Sequence, residues 1–201
     1  MKRWLRFTAA VLAAAFLFAL TGCGSSTNSA SFTWFVDSIP ANLDPQVASG
    51  ASDVIACENL YGTLVRKDPD GELVPGLCEK WTVSSDGLTY TFTLKDGLRY
   101  AAAKGTATEY DITAEDFVFA FRRIFRADTA SPYAVEFSAI QNSAAVQAGL
   151  ADESSLGVSA NGALTLVFRL SERDDNFLAK LALPGAAPCD EAFFESTRGT
   201  Y

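Results

Sequence analysis

The sequence predicts an α/β fold, and three observations carry that reading. Leu88, Tyr90, Phe92 and Leu94 alternate with Thr89, Thr91 and Thr93 behind a turn at Ser84-Ser85-Asp86-Gly87. Leu164, Leu166, Phe168 and Leu170 form a second alternating run after Asn161-Gly162. Between the two, Phe117, Phe121 and Ile124 recur at helical spacing. A chain of 201 residues with 49% hydrophobic content can fill one globular domain or parts of two.

In chain order, Lys2, Arg3 and Arg6 form a basic patch ahead of an apolar run over residues 7–20. A bilayer core needs about 20 helical residues, so the run is too short to span it and reads as the core of a secretory signal occupying residues 1–22. Leu20-Thr21-Gly22-Cys23 follows, and a small residue before cysteine here resembles the lipobox of bacterial lipoproteins. The resemblance implies a thioether-linked diacylglycerol and a palmitate-type acyl chain on Cys23. Two or more chains hold a protein firmly where one binds only marginally. Residues 23–31 are small and polar, as suits a lipidated tether.

Phe32-Thr33-Trp34-Phe35-Val36 reads as a first strand, ended by the turn Asp37-Ser38-Ile39-Pro40. Ser52 reads as an N-cap, and Val54, Cys57 and Tyr61 place a helix at about Asp53 to Tyr61, closed by Gly62. Asp68-Pro69-Asp70-Gly71 combines preset and permissive backbone angles, so it should join two extended segments. Trp81 and Val83 lead into the turn at residues 84–87 and out along the threonine-faced strand, a β-hairpin with one face to bury.

Thr113 with Asp116 is a capping box opening the Phe117 helix, which accounts for Glu115-Asp116 without a catalytic carboxylate pair. Arg122, Arg123 and Arg126 close that helix and read as favourable charge at the negative end of its dipole, with no function assigned. Asn161-Gly162 is a two-residue hairpin signal, residues 176–181 suit a short helix, and Pro184 and Pro188 interrupt regular structure.

Composition excludes several function classes. The formal net charge is −8, and the signal carries only positive charge, so the mature chain is more acidic still. It has no basic stripe with which to displace counterions, so nucleic acid is not a partner. Histidine is absent, which removes the usual general base, the usual zinc ligand and the Ser-His-Asp arrangement together. No catalytic residue, metal site or cofactor is implied, and the chain is not read as an enzyme. With Cys23 lipidated, Cys57, Cys78 and Cys189 read as small buried residues, with a single disulfide among them left open.

Taken in order, a set of short motifs resembles the peptide and nickel class of substrate-binding proteins that serve bacterial ABC importers, typified by oligopeptide-binding proteins. The motifs are Leu43-Asp44-Pro45, Asn59-Leu60-Tyr61, Leu64-Val65-Arg66 with Asp70-Gly71, residues 74–81, residues 85–92, residues 113–117, and Thr129-Ala130-Ser131-Pro132-Tyr133. The departures are the rewritten connection at residues 101–112, Arg126-Ala127 in place of an Asp-Pro pair, and Cys78 where alanine is usual.

The resemblance implies a two-lobe, type II periplasmic-binding-protein-like α/β fold, incomplete here. About residues 32–61 and 185–201 would belong to the first lobe and about 62–184 to a smaller β-rich subdomain, with the hinge and second lobe absent, as in an amino-terminal fragment. It further implies a monomeric, lipid-anchored receptor on the outer face of the cell membrane, or in the periplasm, that captures oligopeptides and delivers them to an ABC permease. Nickel, haem or another solute is the alternative ligand, and a lipid-anchored hydrolase the alternative class. The positions matching cleft-lining residues of peptide-binding relatives are Ser49, Gly50, Ala51 and Tyr133. Trp34, Trp81 and Tyr90 read as core rather than as stacking groups.

Overall fold

Turn chemistry sets the strands. The computed structural model describes residue 33 and residues 37–101 and 110–197. The expected signal, Cys23, the expected tether and the strand expected at residues 32–36 therefore lie outside the described residues, Thr33 excepted, as does most of the connection at residues 101–112.

The first helix, α1, spans Ala51–Leu60, two residues earlier than its pattern suggests, with Gly50 at the N-cap. The reason lies in Ser52, whose hydroxyl sits 2.9 Å from that of Ser38 and is used there instead of for capping. The segment before the helix is laced along it. The Asp53 carboxylate accepts from the Ala41 and Asn42 N–H groups at 2.7 and 3.3 Å, and the Tyr61 hydroxyl donates to the Leu43 carbonyl at 2.8 Å.

Strands β1 (Val65–Lys67) and β2 (Leu73–Pro75) pair antiparallel around the Asp68–Gly71 turn. Asp68 Oδ1 accepts from the Asp70 and Glu72 N–H groups, and Gly71 takes a φ of +86°, which glycine adopts without steric cost. Strands β3 (Cys78–Val83) and β4 (Thr89–Leu94) form the expected hairpin, with Trp81 opposite Phe92 and a register shift between Cys78 and Lys80. On β4 the buried positions are Tyr90, Phe92 and Leu94, as the alternation requires, and the threonines are half-buried.

Helix α2 (Ala114–Phe125) begins at the capping box, where Asp116 Oδ2 accepts from the Thr113 N–H at 2.6 Å and from its hydroxyl at 3.1 Å. After it come the short helix α3 (Ser143–Gln147) and strands β5 (Val158–Ala160) and β6 (Thr165–Arg169). The β5–β6 connection is longer than the expected two-residue loop. Asn161 N–H donates to the Thr165 carbonyl, closing residues 161–164 into the turn, and Gly162 takes a φ of +71° within it. Helices α4 (Phe177–Lys180) and α5 (Glu191–Thr197) complete the order, separated by a 3₁₀ turn at Pro184–Ala186.

The four-stranded sheet runs β3-β4-β6-β5, antiparallel throughout. Its apolar face packs against α2 and is dominated by phenylalanine. Phe168 lies edge-on to Phe92, Phe121 and Phe177 at centroid separations of 5.8, 4.9 and 5.4 Å, and Phe121 meets Phe137 at 4.9 Å. Each such ring contributes about 1.5–3 kcal/mol by leaving water, with edge-to-face geometry adding to it. Tyr90 packs tilted against Phe177, with ring centroids 4.9 Å apart, and Trp81 packs half-buried beside Phe92, both as core. Cys57, Cys78 and Cys189 are all buried.

Candidate functional site

The loop ahead of α1 and the turn after α2 bring the sequence-selected residues to one helix. Ser49, Gly50 and Ala51 are exposed where α1 begins. The Gly50 φ of −69° is open to any residue, so glycine is not demanded by the backbone there. What glycine does is leave room, since a Cβ would approach Asp53 Oδ2 to 3.2 Å.

Tyr133 lies in the 3₁₀ turn Pro132–Ala134 and is 7% exposed, leaving little of its ring for a ligand to stack on. Its ring lies directly against the Gly185 backbone. Burial pushes its hydroxyl up to about 12, and the nearby Cys57 and Glu58 of α1 add to the rise. Cys57 is itself raised to about 11, by burial first and then by Asp53 and Asp44, so it is no thiolate nucleophile.

Beneath these residues is a polar cluster that the helix-end reading of the arginines does not anticipate. Arg123 is 3% exposed and forks onto Asp44, with Nη2 donating to Oδ2 at 2.5 Å and Nη1 to Oδ1 at 3.3 Å. Nη1 also donates to Gln46 Oε1 at 2.6 Å and toward Cys189 Sγ at 3.4 Å, and the guanidinium sits 3.9 Å over the Phe194 ring. The charge is therefore neutralised inside the protein rather than at the helix terminus. Arg126 pairs with both oxygens of Glu153 at 2.8 and 3.0 Å, which raises its pKa further.

Gln46, Arg123, Ser131 and Gly185 were missed as site-supporting residues. One signal for Arg123 was present: Asp116, Phe119, Ala120 and Arg123 recur at helical spacing on a second face of α2, and all four are buried. No comparable pattern marks Gln46 or Gly185.

A separate cleft of about 610 Å³ lies between the end of α1, the β1–β2 hairpin and residues 179–184. It includes none of Ser49, Gly50, Ala51 or Tyr133, and its charges are mixed, with Glu58, Arg66 and Lys67 all in the lining. Among the described residues no group of three or more His, Cys, Asp or Glu could hold a metal ion, and no helix is long and apolar enough to cross a membrane.

The fold described above is a portion of the type II periplasmic-binding-protein architecture. It superposes on the Escherichia coli murein tripeptide binding protein MppA with a TM-score of 0.69 at 34% identity, covering 78% of this chain and 30% of that one. The chain belongs to the bacterial extracellular solute-binding proteins of family 5, since residues 72–200 match the family described as "Bacterial extracellular solute-binding proteins, family 5 Middle".

Among curated relatives, the periplasmic murein peptide-binding protein MppA of Escherichia coli K12 is 36% identical over 66% of this chain and 24% of its own length. Oligopeptide-binding protein AliA of Streptococcus pneumoniae is 30% identical over 92% of this chain and 28% of its own. YgiS of Escherichia coli K12, described as a probable deoxycholate-binding periplasmic protein, is 35% identical over 74% of this chain and 27% of its own. The chain thus spans 24% to 28% of the length of these relatives. The family and these relatives are extracytoplasmic solute-binding proteins, not enzymes.

Proposed function

We propose that this chain contributes the amino-terminal part of a lipid-anchored, monomeric receptor that captures oligopeptides outside the cytoplasm and passes them to an ABC permease. The observation that carries the ligand class is the likeness to proteins named for peptide binding, MppA in fold and sequence and AliA across nearly the whole chain. Ser49, Gly50, Ala51 and Tyr133 are proposed as its share of the ligand surface, in keeping with the exposed start of α1 and with Tyr133 packed near the same helix.

Residues 32–61 and 185–201 are proposed as part of one lobe and 62–184 as the β-rich subdomain. Across that proposed boundary Cys189 and Phe194 pack on Phe119 and Ala120 of α2 in a small apolar cluster separate from the main core. An extended peptide held mainly through its backbone and termini leaves its side chains in hydrated pockets, so one site accepts many sequences.

Calorimetry on the full-length protein tests the ligand class. A mixed pool of short peptides is expected to bind, and nickel, haem and deoxycholate are not. Deoxycholate is included because YgiS, described by that ligand, is as similar here as the peptide binders are. Silence with peptides and a clear isotherm with one of the others would replace the peptide reading. For the anchor, metabolic labelling with palmitate should mark the protein, and Cys23→Ser should lose both label and membrane fraction. An unlabelled wild-type protein would refute lipidation.

A further inference from the structure

Gln46 is completely buried, and its polar atoms are all engaged. Its backbone N–H donates to Asp44 Oδ1 at 3.1 Å, and its carbonyl accepts from Ser131 Oγ at 2.5 Å. Its side-chain Nε2 donates to the carbonyls of Gly185 and Ala187 at 3.3 and 2.9 Å, and Oε1 accepts from Arg123. A buried amide satisfied this fully admits one arrangement of its neighbours, because leaving any of these groups unmet inside the protein is costly.

Two routes lead from Gln46 to Tyr133, one from its backbone carbonyl and one from its side-chain amide. The first runs through Ser131, whose Oγ donates to the Gln46 backbone carbonyl and also accepts from the Tyr133 N–H at 3.2 Å. The other runs through Gly185, whose carbonyl Gln46 holds and whose Cα lies so close to the ring that an added Cβ would sit 2.4 Å from Tyr133 Cγ. On its other side Gln46 is only three residues from Ser49, after a turn in which the Val47 and Ala48 N–H groups donate to the Asp44 carbonyl.

We infer that Gln46 is a positioning residue that fixes the Ser49–Gly50–Ala51 loop and Tyr133 relative to one another, so that two elements far apart in sequence present one ligand surface. The inference rests on the proposed role of those four residues in ligand contact. Gln46 itself touches no ligand in this scheme. It acts through Ser131, Gly185 and the chain leading to Ser49.

The test uses Gln46→Glu in the full-length protein. The change keeps size and the acceptor for Arg123 but turns the donor toward Gly185 and Ala187 into an oxygen facing two carbonyls. Hydrogen exchange is expected to quicken about tenfold for amides in residues 47–51 and 131–134, with β4 and β6 unchanged, and peptide affinity to fall by about tenfold. Ser131→Ala, a smaller change, should quicken exchange at 131–134 alone. Unchanged exchange in both segments, or acceleration spread equally over β4 and β6, would overturn the inference, the second result marking a purely structural plug. If the wild-type protein takes up no peptide, the ligand reading fails by itself, and the exchange pattern still decides whether Gln46 positions these segments.

Discussion

Arg123 brings a full charge into the interior, and the price is met only because Asp44 and Gln46 meet it there. Removing one partner of such a pair strands the other, which costs about 3–5 kcal/mol. Arg123→Met is therefore expected to lower unfolding stability by about that amount in urea denaturation. Arg173→Ala, which breaks an exposed pair with Asp175, should cost under about 1 kcal/mol. Equal effects of the two substitutions would mean that the buried pair is not held as described.

Asp116, on the same second face of α2, gives a pH dependence. Burial raises its carboxyl to about 6, the Thr113 hydrogen bonds oppose that rise, and Asp190 adds to it. The folded pKa lies above the unfolded one, so the folded state holds more protons between about pH 4 and pH 6, and this group's contribution declines as pH rises through that window. Asp116→Asn keeps an acceptor for the Thr113 N–H and removes the titration. Its stability relative to wild type should climb from about pH 4 to about pH 6 and then level off, measured by denaturant midpoints across pH. A flat difference would contradict the buried, charge-opposed setting of Asp116.

At the scale of elements, the sheet is held by rings from elements distant in sequence: Phe92 on β4, Phe121 on α2, Phe168 on β6 and Phe177 on α4. Phe168 touches the other three, so Phe168→Ala should cost about 3–5 kcal/mol, more than Trp81→Ala at the half-buried margin. Differential thermal unfolding of the two variants checks the order. These elements were legible because their signals are local. Period-two alternation at residues 88–94 and 164–170, the Asp-Pro-Asp-Gly turn and the Phe117-Phe121-Ile124 stripe each name their own structure.

What failed did so where a side chain answers to a distant partner. Ser52 looks like a cap until Ser38 arrives from fourteen residues away, and Arg123 looks like end charge until Asp44 meets it from seventy-nine. Gln46 carries no local pattern at all, since its meaning lies in carbonyls 139 and 141 residues downstream. The candidate ligand positions came from resemblance rather than from patterning. Periodicity reports which face is buried, not which exposed loop meets a ligand.

At the scale of the whole molecule, the share of each relative that this chain covers bears on affinity. On the proposed receptor reading, a chain spanning 24% to 28% of its relatives' length supplies only part of a surface that two closing lobes would share. Closure would add contacts from the opposing side and exclude water, and without it a peptide backbone laid against the proposed Ser49–Gly50–Ala51 contact keeps most of its hydration. Association entropy must still be met, and one shallow face of hydrogen bonds exchanged against water does not meet it. Residues 23–201 alone should therefore fold around the phenylalanine core yet bind a mixed pool of short peptides weakly or not at all. Circular dichroism would establish the folding, and calorimetry the binding. Clear submicromolar uptake by that segment would mean that the loop before α1 and its neighbours form a sufficient site by themselves, and the two-lobe account of affinity would have to be given up.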